Sequence, residues 1–564
     1  MRFSYLLLLA GLCAGVSPAR AASDPVTGTP ARAIPTVRRH LIYFTNKTGT
    51  PFSLSQPGAF LSARALQRRT RQGIALKPRD LPVNPAYVAQ VKAVAGTRLW
   101  YTSRWFNAAI VSCDSTTLAQ IRTLSCVQGA QTLNRGQGGP RQPEKEPVAP
   151  AERPSSAPAD YGIAYNQAQM IGAVTMHNAN FRGEGMQIAV FDAGFPSVNQ
   201  MAVFAPLLQE QRLISTFNVV DKNTDVFQRN DHGTLCLSTL AGNQPGVFIG
   251  TAPKASYRLF ITEDIGSEHP VEEANWLVAA EYADSAGVDV ISSSLGYSTF
   301  DVPSANYTYA DMNGRTAIST RAATVAARVG MLVVNSAGNE GNSAWRYITA
   351  PADADSILTV GAVTAQRNHA AFSSYGPSAD GRIKPNVVAQ GQQAALVYPT
   401  GPGYGSGTSF SCPIMAGMAT AFWQSSPTLG VQQVIQFLQR SGSLAANPNN
   451  TLGYGIPNFV TAYNLANPST PLAAASALPA AEALAVYPNP SREEALFLHL
   501  SPAFRGTPLR VRLFDARGTL VRELQLAPAG AAEVRLPALP LAKGIYTCLV
   551  SSGKAQQTVR LVKL

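Results

Sequence analysis

The spacing of apolar and polar positions divides the chain into three stretches. Between residues 36 and 134, short segments of both periodicities mix. His40 to Phe44 predicts a strand, followed by the turn Asn46-Lys47-Thr48-Gly49. Phe60 to Gly73 predicts a basic helix, and Val88 to Val94 a second helix that Gly96 ends. Leu99 to Trp105 and Asn107 to Val111 predict strands. From about 161 to 465, nearly continuous apolar runs alternate with helical segments. The strands are Gln187 to Phe191, Tyr257 to Ile261, Val288 to Ser292 and Met331 to Asn335; the helices are Ala274 to Ala286 and Thr316 to Val329. Strands this apolar, separated by helices, imply a parallel sheet buried on both faces. Residues 483–564 hold short strands again: Ala495 to Leu500, Leu509 to Phe514, Leu520 to Leu524, Ala532 to Leu536, Ile545 to Val550 and Gln557 to Val562. Turns such as Asp515-Ala516-Arg517-Gly518 separate them, a small β-sandwich pattern.

Two segments lack this patterning. Residues 135–160 are rich in Pro, Gly and charge, and residues 466–482 in Ala, Pro and Ser; both read as linkers. Residues 1–22 read as a signal peptide, with Arg2, an apolar run from Tyr5 to Val16 too short to span a bilayer, and the cleavage pattern Ala19-Arg20-Ala21. Leu12 before Cys13 disfavours a lipid anchor. The resulting division is 1–22, 23–134, 135–160, 161–465, 466–482 and 483–564. The fold class is α/β, a parallel sheet flanked by helices, with an N-terminal α+β unit and a C-terminal β-sandwich.

Composition narrows the function. The 564 residues are 46 % hydrophobic and 14 % charged, which suits globular domains. Much of the net charge of +12 sits in the N-terminal third. No dense basic helix interleaved with aromatics is present, so a basic proregion or a solvated face is favoured over nucleic-acid binding. Beyond the signal segment remain Cys113, Cys126, Cys236, Cys412 and Cys548, an odd number without zinc-ligand spacing.

The candidate chemistry is nucleophilic. Gly405-Ser406-Gly407-Thr408-Ser409 runs into a predicted helix, Ser411 to Gln424, so the Ser409 hydroxyl meets a helix N-terminus; an N-cap serine in a glycine-rich turn is the plain alternative. A serine needs a base. His232, in Asn230-Asp231-His232-Gly233-Thr234, opens another predicted helix, a position expected to lower its pKa; a capping or core histidine is the alternative. His269 and His369 read as surface residues. Asp192 follows a buried strand and can orient the imidazole, or make an Asx turn before Gly194.

Taken in this order, these motifs resemble the subtilisin-like serine peptidases over about 161–465. The resemblance rests on Val190-Phe191-Asp192-Ala193-Gly194, His232-Gly233-Thr234, Gly407-Thr408-Ser409-Phe410-Ser411-Cys412-Pro413, Gly250-Thr251-Ala252-Pro253-Lys254-Ala255, Ser293-Ser294-Leu295-Gly296 and Ser336-Ala337-Gly338-Asn339-Glu340. It implies Ser409 as nucleophile, His232 as general base and acid, Asp192 as orienter and Asn339 as oxyanion donor. It also implies a primary specificity pocket between Ser294, Leu295 and Gly296 on one side and Ala337 and Gly338 on the other. Small residues suggest a roomy, apolar pocket, with Glu340 adding a mild taste for basic side chains. Phe195 stands where many relatives carry a polar residue. Cys236 and Cys412, near the triad, would confer mercurial sensitivity if free and reachable; two buried small hydrophobes are the alternative. No cofactor is required. A structural calcium ion is compatible with the chain but not assignable to a loop; Asp353 and Asp355 are the candidates, and surface turn residues are the favoured reading of both.

The flanks extend the resemblance. Pro57 to Ala65 and Ser103 to Ala108 resemble the proregion of Bacteroidetes subtilases, which implies an intramolecular inhibitor cut away in 135–160; a permanent accessory domain is the alternative. Val486-Tyr487-Pro488-Asn489-Pro490, Leu513 to Gly518, Lys543-Gly544-Ile545-Tyr546 and the terminal Val559 to Leu564 resemble a type IX secretion sorting domain. That implies export through the periplasm to the medium or cell surface, with the type IX machinery as partner; a carbohydrate- or protein-binding module is the alternative. The expected molecule is a monomeric secreted endopeptidase acting on proteins or peptides, without a membrane span or nucleic-acid partner. A catalytically silent binding protein or adhesin is the other reading. The absence of a Gly-x-Ser-x-Gly elbow at Ser409 disfavours an α/β-hydrolase.

Overall fold

The computed structural model describes residues 37–133, 160–472 and most of 484–564. The signal-peptide segment and all but the last residue of the 135–160 linker lie outside the described residues. The chain forms two compact units, Met1–Ala462 and Tyr463–Leu564.

In the first unit, the N-terminal strands form an antiparallel sheet in the order Arg98–Ser103, Ala108–Cys113, Arg38–Phe44, Val127–Thr132. Side chains alternate between its faces. Ile42, Ala109 and Val111 pack with their own helices, whereas Leu41, Ala108 and Ile110 join the core of the following fold. The helices Ala63–Arg71, Pro85–Ala93 and Ser115–Arg122 each start at a side-chain cap: Ser62, Asn84 and Asp114 accept from Ala65 N, Ala86 N and Thr117 N.

The basic helix is not a solvated face. Arg68 and Arg69 are buried. Together with Arg104 they converge on Asp284, with Arg104 Nη2 at 2.6 Å and Arg69 Nη2 at 2.8 Å, while Arg64 and Arg71 pair with Asp289. Glu281 accepts from the backbone N–H groups of Arg104 and Trp105. Charges leave water at tolerable cost only when paired and hydrogen-bonded, so this face is built to dock.

The predicted parallel sheet has seven strands in the order Val387–Gln390, Leu358–Val363, Leu332–Ser336, Val290–Ser293, Gln187–Asp192, Ser256–Ile261, Leu213–Asn218. All six pairings are parallel. The helix Thr408–Ser425, buried from Thr408 to Trp423, packs on the sheet and against the helix His232–Ala241. The helices Val271–Ala286 and Ile318–Arg328 pack against one another. Strand order reverses around Gln187–Asp192, where open parallel sheets place their crevice at the strands' carboxyl ends.

The second unit contains a three-stranded sheet, Ala485–Tyr487, Phe497–His499 and Glu533–Arg535, and a four-stranded one in the order Leu520–Leu526, Leu509–Phe514, Gly544–Ser552, Ala555–Lys563. Leu498, Val511, Leu513, Val550 and Leu561 share one core. Among the described residues, no helix is long and apolar enough to cross a membrane.

Candidate active site

Asp192 is the last residue of the central strand and fully buried. Its Oδ1 accepts from His232 Nδ1 at 2.8 Å and from Ala193 N at 2.7 Å. That bond fixes the tautomer, so Nε2 is the ring's free basic atom. His232 opens its helix, and the fit between helix and strand depends on Gly233. A Cβ there would lie 2.3 Å from Gly194 O and 2.9 Å from Asp192 Cβ.

Burial works against the His232 charge, but the Asp192 carboxylate outweighs it and holds the imidazole pKa well above its ordinary value of 6.5. This corrects the expectation from helix position. A full charge at 2.8 Å outweighs the partial charge of a helix end, roughly half an elementary charge.

Ser409 lies in the first turn of its helix, which starts at Thr408, three residues before the predicted Ser411. Pro413, four residues on, has no N–H with which to bond the Ser409 carbonyl. Ser294 Oγ donates to that carbonyl instead, at 2.8 Å, and Cys236 Sγ at 3.3 Å. Cys236 also stands 3.8 Å from His232 Nδ1, and the Phe410 ring is 5.9 Å from the His232 ring. No hydrogen bond joins Ser409 Oγ to the His232 ring among the described residues; such bonds are often long in a resting site and tighten with substrate.

Asn339 is exposed, yet its carboxamide is aimed. Oδ1 accepts from Thr408 N at 2.8 Å and from Thr408 Oγ1 at 2.9 Å. A backbone N–H can only donate, so the atom facing it is the oxygen, and Nδ2 is left as a donor. Thr408 carried no signal of this role in the sequence beyond its place in the serine motif.

The two predicted pocket walls follow neighbouring strands. Leu295 O accepts from Asn335 Nδ2 at 3.0 Å, and Gly338 N donates to Thr408 Oγ1 at 3.2 Å. Between the walls stands Thr349, which sequence reasoning missed. A Cβ on Gly296 would lie 2.2 Å from Thr349 Oγ1, and one on Gly338, whose φ is +107°, 3.0 Å from it. Thr349 lies nine positions beyond Glu340 and outside every motif of the serine-peptidase resemblance, so only the fold reveals it. Ala337 is buried behind its wall. Glu340 accepts from Ser343 Oγ at 2.7 Å through its carboxylate.

Several other residues differ from expectation. His269 is buried, not superficial, and its backbone N–H is capped by Glu272. Asp353 is buried as well and accepts from Gly314 N and Thr320 Oγ1. Asp355 is exposed and accepts from Ser356 Oγ. Cys236 and Cys412 are fully buried, and burial raises both thiol pKa values. Asp192, His232 and Cys236 hold ligand atoms within 4.8 Å of one another, but these are the atoms of the carboxylate–imidazole pair already described.

Comparison with known proteins now decides the family. Residues 183–455 match the model of the subtilase family. The chain is 30 % identical to subtilisin NAT of Bacillus subtilis subsp. natto over 295 residues, 51 % of this chain and 67 % of the relative. The chain belongs to the subtilase family. Subtilisin DY of Bacillus licheniformis is 29 % identical over 300 residues, 52 % of this chain and 94 % of the relative, and M-protease of Shouchella clausii (strain KSM-K16) 28 % over 292 residues, 51 % and 67 %. Residues 39–146 match the peptidase S8 propeptide domain of Bacteroidota, and residues 485–564 a secretion system C-terminal sorting domain. This subtilase is therefore a serine peptidase with a propeptide, addressed by its type IX sorting domain to the cell exterior or surface.

Proposed function

We propose that this subtilase is an endopeptidase that cleaves protein chains through an acyl-enzyme on Ser409. The observation that carries the reading is the aimed pair of functions flanking that serine: His232 held by Asp192 Oδ1 at 2.8 Å, and Asn339 held by Thr408 N at 2.8 Å. In this reading Ser409 Oγ attacks the scissile carbonyl as His232 Nε2 takes its proton. Asn339 Nδ2 and Ser409 N, the latter at a helix start, donate to the oxyanion. The imidazolium then protonates the leaving amine, and water, activated by the same ring, frees the acid product. Asp192 stabilises the imidazolium throughout. Ser294, Leu295, Gly296, Ala337 and Gly338 take the side chain before the cut, and Thr349 between the walls favours small and medium side chains over the large ones a roomy pocket would admit. The propeptide acts as the intramolecular inhibitor until the segment 135–160 is cut. A silent binding role has no observation in its favour, since binding alone requires neither an aimed carboxamide nor an oriented imidazole.

Casein hydrolysis by wild type and by Ser409→Ala, each with and without a serine-directed sulfonyl fluoride, tests the reading. Loss of activity on both treatments is expected. An inactive wild type after cleavage of the 135–160 segment overturns it.

A further inference from the structure

A cavity of about 560 Å³ opens at the seam between the propeptide and the peptidase core. Arg69, Lys77, Arg79 and Asp80 line it from the propeptide, and Arg328 and Val329 from the end of the helix Ile318–Arg328. Its charge is one-sided, with four cations facing one carboxylate. That carboxylate is already engaged: Asp80 accepts from Lys77 N at 2.8 Å and pairs with Arg69 Nη1 at 3.1 Å. Lys77, Arg79 and Arg328 make no ion pair among the described residues.

The wall is built rather than incidental. Arg69 is 2 % exposed and gripped by Asp284, yet its Nε is buried without a hydrogen-bond partner. The turn carrying Lys77 and Arg79 is pinned from behind, where Lys47 Nζ donates to the carbonyls of Pro78 at 3.1 Å and Arg79 at 2.9 Å. Across the seam, Gln72 Nε2 donates to Gly330 O at 2.8 Å, which holds the two sides in register. Guanidinium forks on fixed backbone match the oxygens of phosphate groups.

We propose that this cavity binds a small phosphate-bearing polyanion, which locks the propeptide onto the peptidase core. Because the cations come from both sides of the seam, the ligand binds the docked state and not the separated one. By linkage, ligand at about 100 times its Kd slows propeptide loss by about 100-fold if release follows the docking equilibrium. Occupancy thus sets how long the secreted zymogen stays latent. This locking role rests on the propeptide reading above; the binding itself does not.

The test uses the full chain carrying Ser409→Ala, which cannot process itself, titrated calorimetrically with pyrophosphate at fixed ionic strength. Saturable binding to one site is expected, weakened about tenfold or more by Lys77→Ala and by Arg79→Ala, two surface changes whose folding a thermal melt verifies. Wild type is then followed for its activation lag with and without pyrophosphate, and the lag is expected to lengthen only where Lys77 and Arg79 are present. No saturable heat, or equal binding by both variants, overturns the site. Binding with an unchanged lag overturns the lock. The titration needs no catalysis, so it stands or falls separately from the peptidase reading.

Discussion

The bond between Asp192 and His232 governs how the site responds to pH. A general base must be neutral, and Asp192 holds the His232 pKa well above 6.5. Hence kcat/KM is expected to fall as pH drops through that raised pKa. Asp192→Asn keeps the shape but loses the charge and the tautomer, so kcat is expected to fall about 10⁴-fold and the residual acid limb to move to lower pH. A pH–rate profile with an unmoved midpoint refutes this account. Asn339→Ala should lower kcat about 10²–10³-fold, a range measured on a subtilisin. Thr408→Val, which removes one of the two donors fixing Asn339 Oδ1, should cost about 2–10-fold in kcat with KM little changed. An effect on KM alone would show that Thr408 does not aim the carboxamide.

At the scale of elements, Pro413 is a defect with a use. A proline in a helix interior costs about 3 kcal/mol relative to a good helix former. Here the defect frees the Ser409 carbonyl to join the Ser409 helix to the pocket wall through Ser294 and to the His232 helix through Cys236. Pro413→Ala restores the missing N–H and draws that carbonyl back into its own helix. The melting temperature should hold or rise while kcat falls about 10–100-fold, because a misplaced nucleophile is penalised steeply. Differential scanning calorimetry beside steady-state kinetics reads both; a fall in stability with unchanged kcat would contradict the argument. Local patterning recovered the strands and helices but not this linkage, because the donors that reach the Ser409 carbonyl come from two other segments distant in the chain.

At the scale of the whole molecule, the propeptide and one buried acid set stability. Asp284 pairs with three guanidiniums. Asp284→Asn leaves Arg68 and Arg104 without this counter-charge, while Arg69 keeps Asp80, a loss of about 3–5 kcal/mol in the docked state. In a Ser409→Ala background the full chain should melt earlier, while wild type carrying Asp284→Asn should activate with a shorter lag. Glu263 works in the opposite sense. Burial, then repulsion from Glu268, pushes its pKa from 4.5 up to about 8. The folded state therefore binds the proton more tightly than the unfolded chain, and stability falls as pH rises between these values. Glu263→Gln keeps an acceptor for Tyr297 and Thr262, so it should raise the melting temperature at pH 8 and leave it nearly unchanged at pH 4. An equal shift at both pH values would rule out the titration.

The sequence by itself determined the kind of fold and the candidates for the reacting groups. Periodicity is local, so near-continuous apolar strands between helices specify a buried parallel sheet, and Asp192, His232, Ser409 and Asn339 each lie in a short motif whose backbone demands are visible in neighbouring glycines. Only the tertiary structure decided what those groups feel. That the carboxylate outweighs the helix end at His232, that Thr349 stands between Gly296 and Gly338, that His269 and Asp353 are buried, and that the arginines of a basic helix lie out of water on Asp284 all depend on distances between segments far apart in the chain. Burial and electrostatic interaction are set by such distances, and no local pattern of residues encodes them.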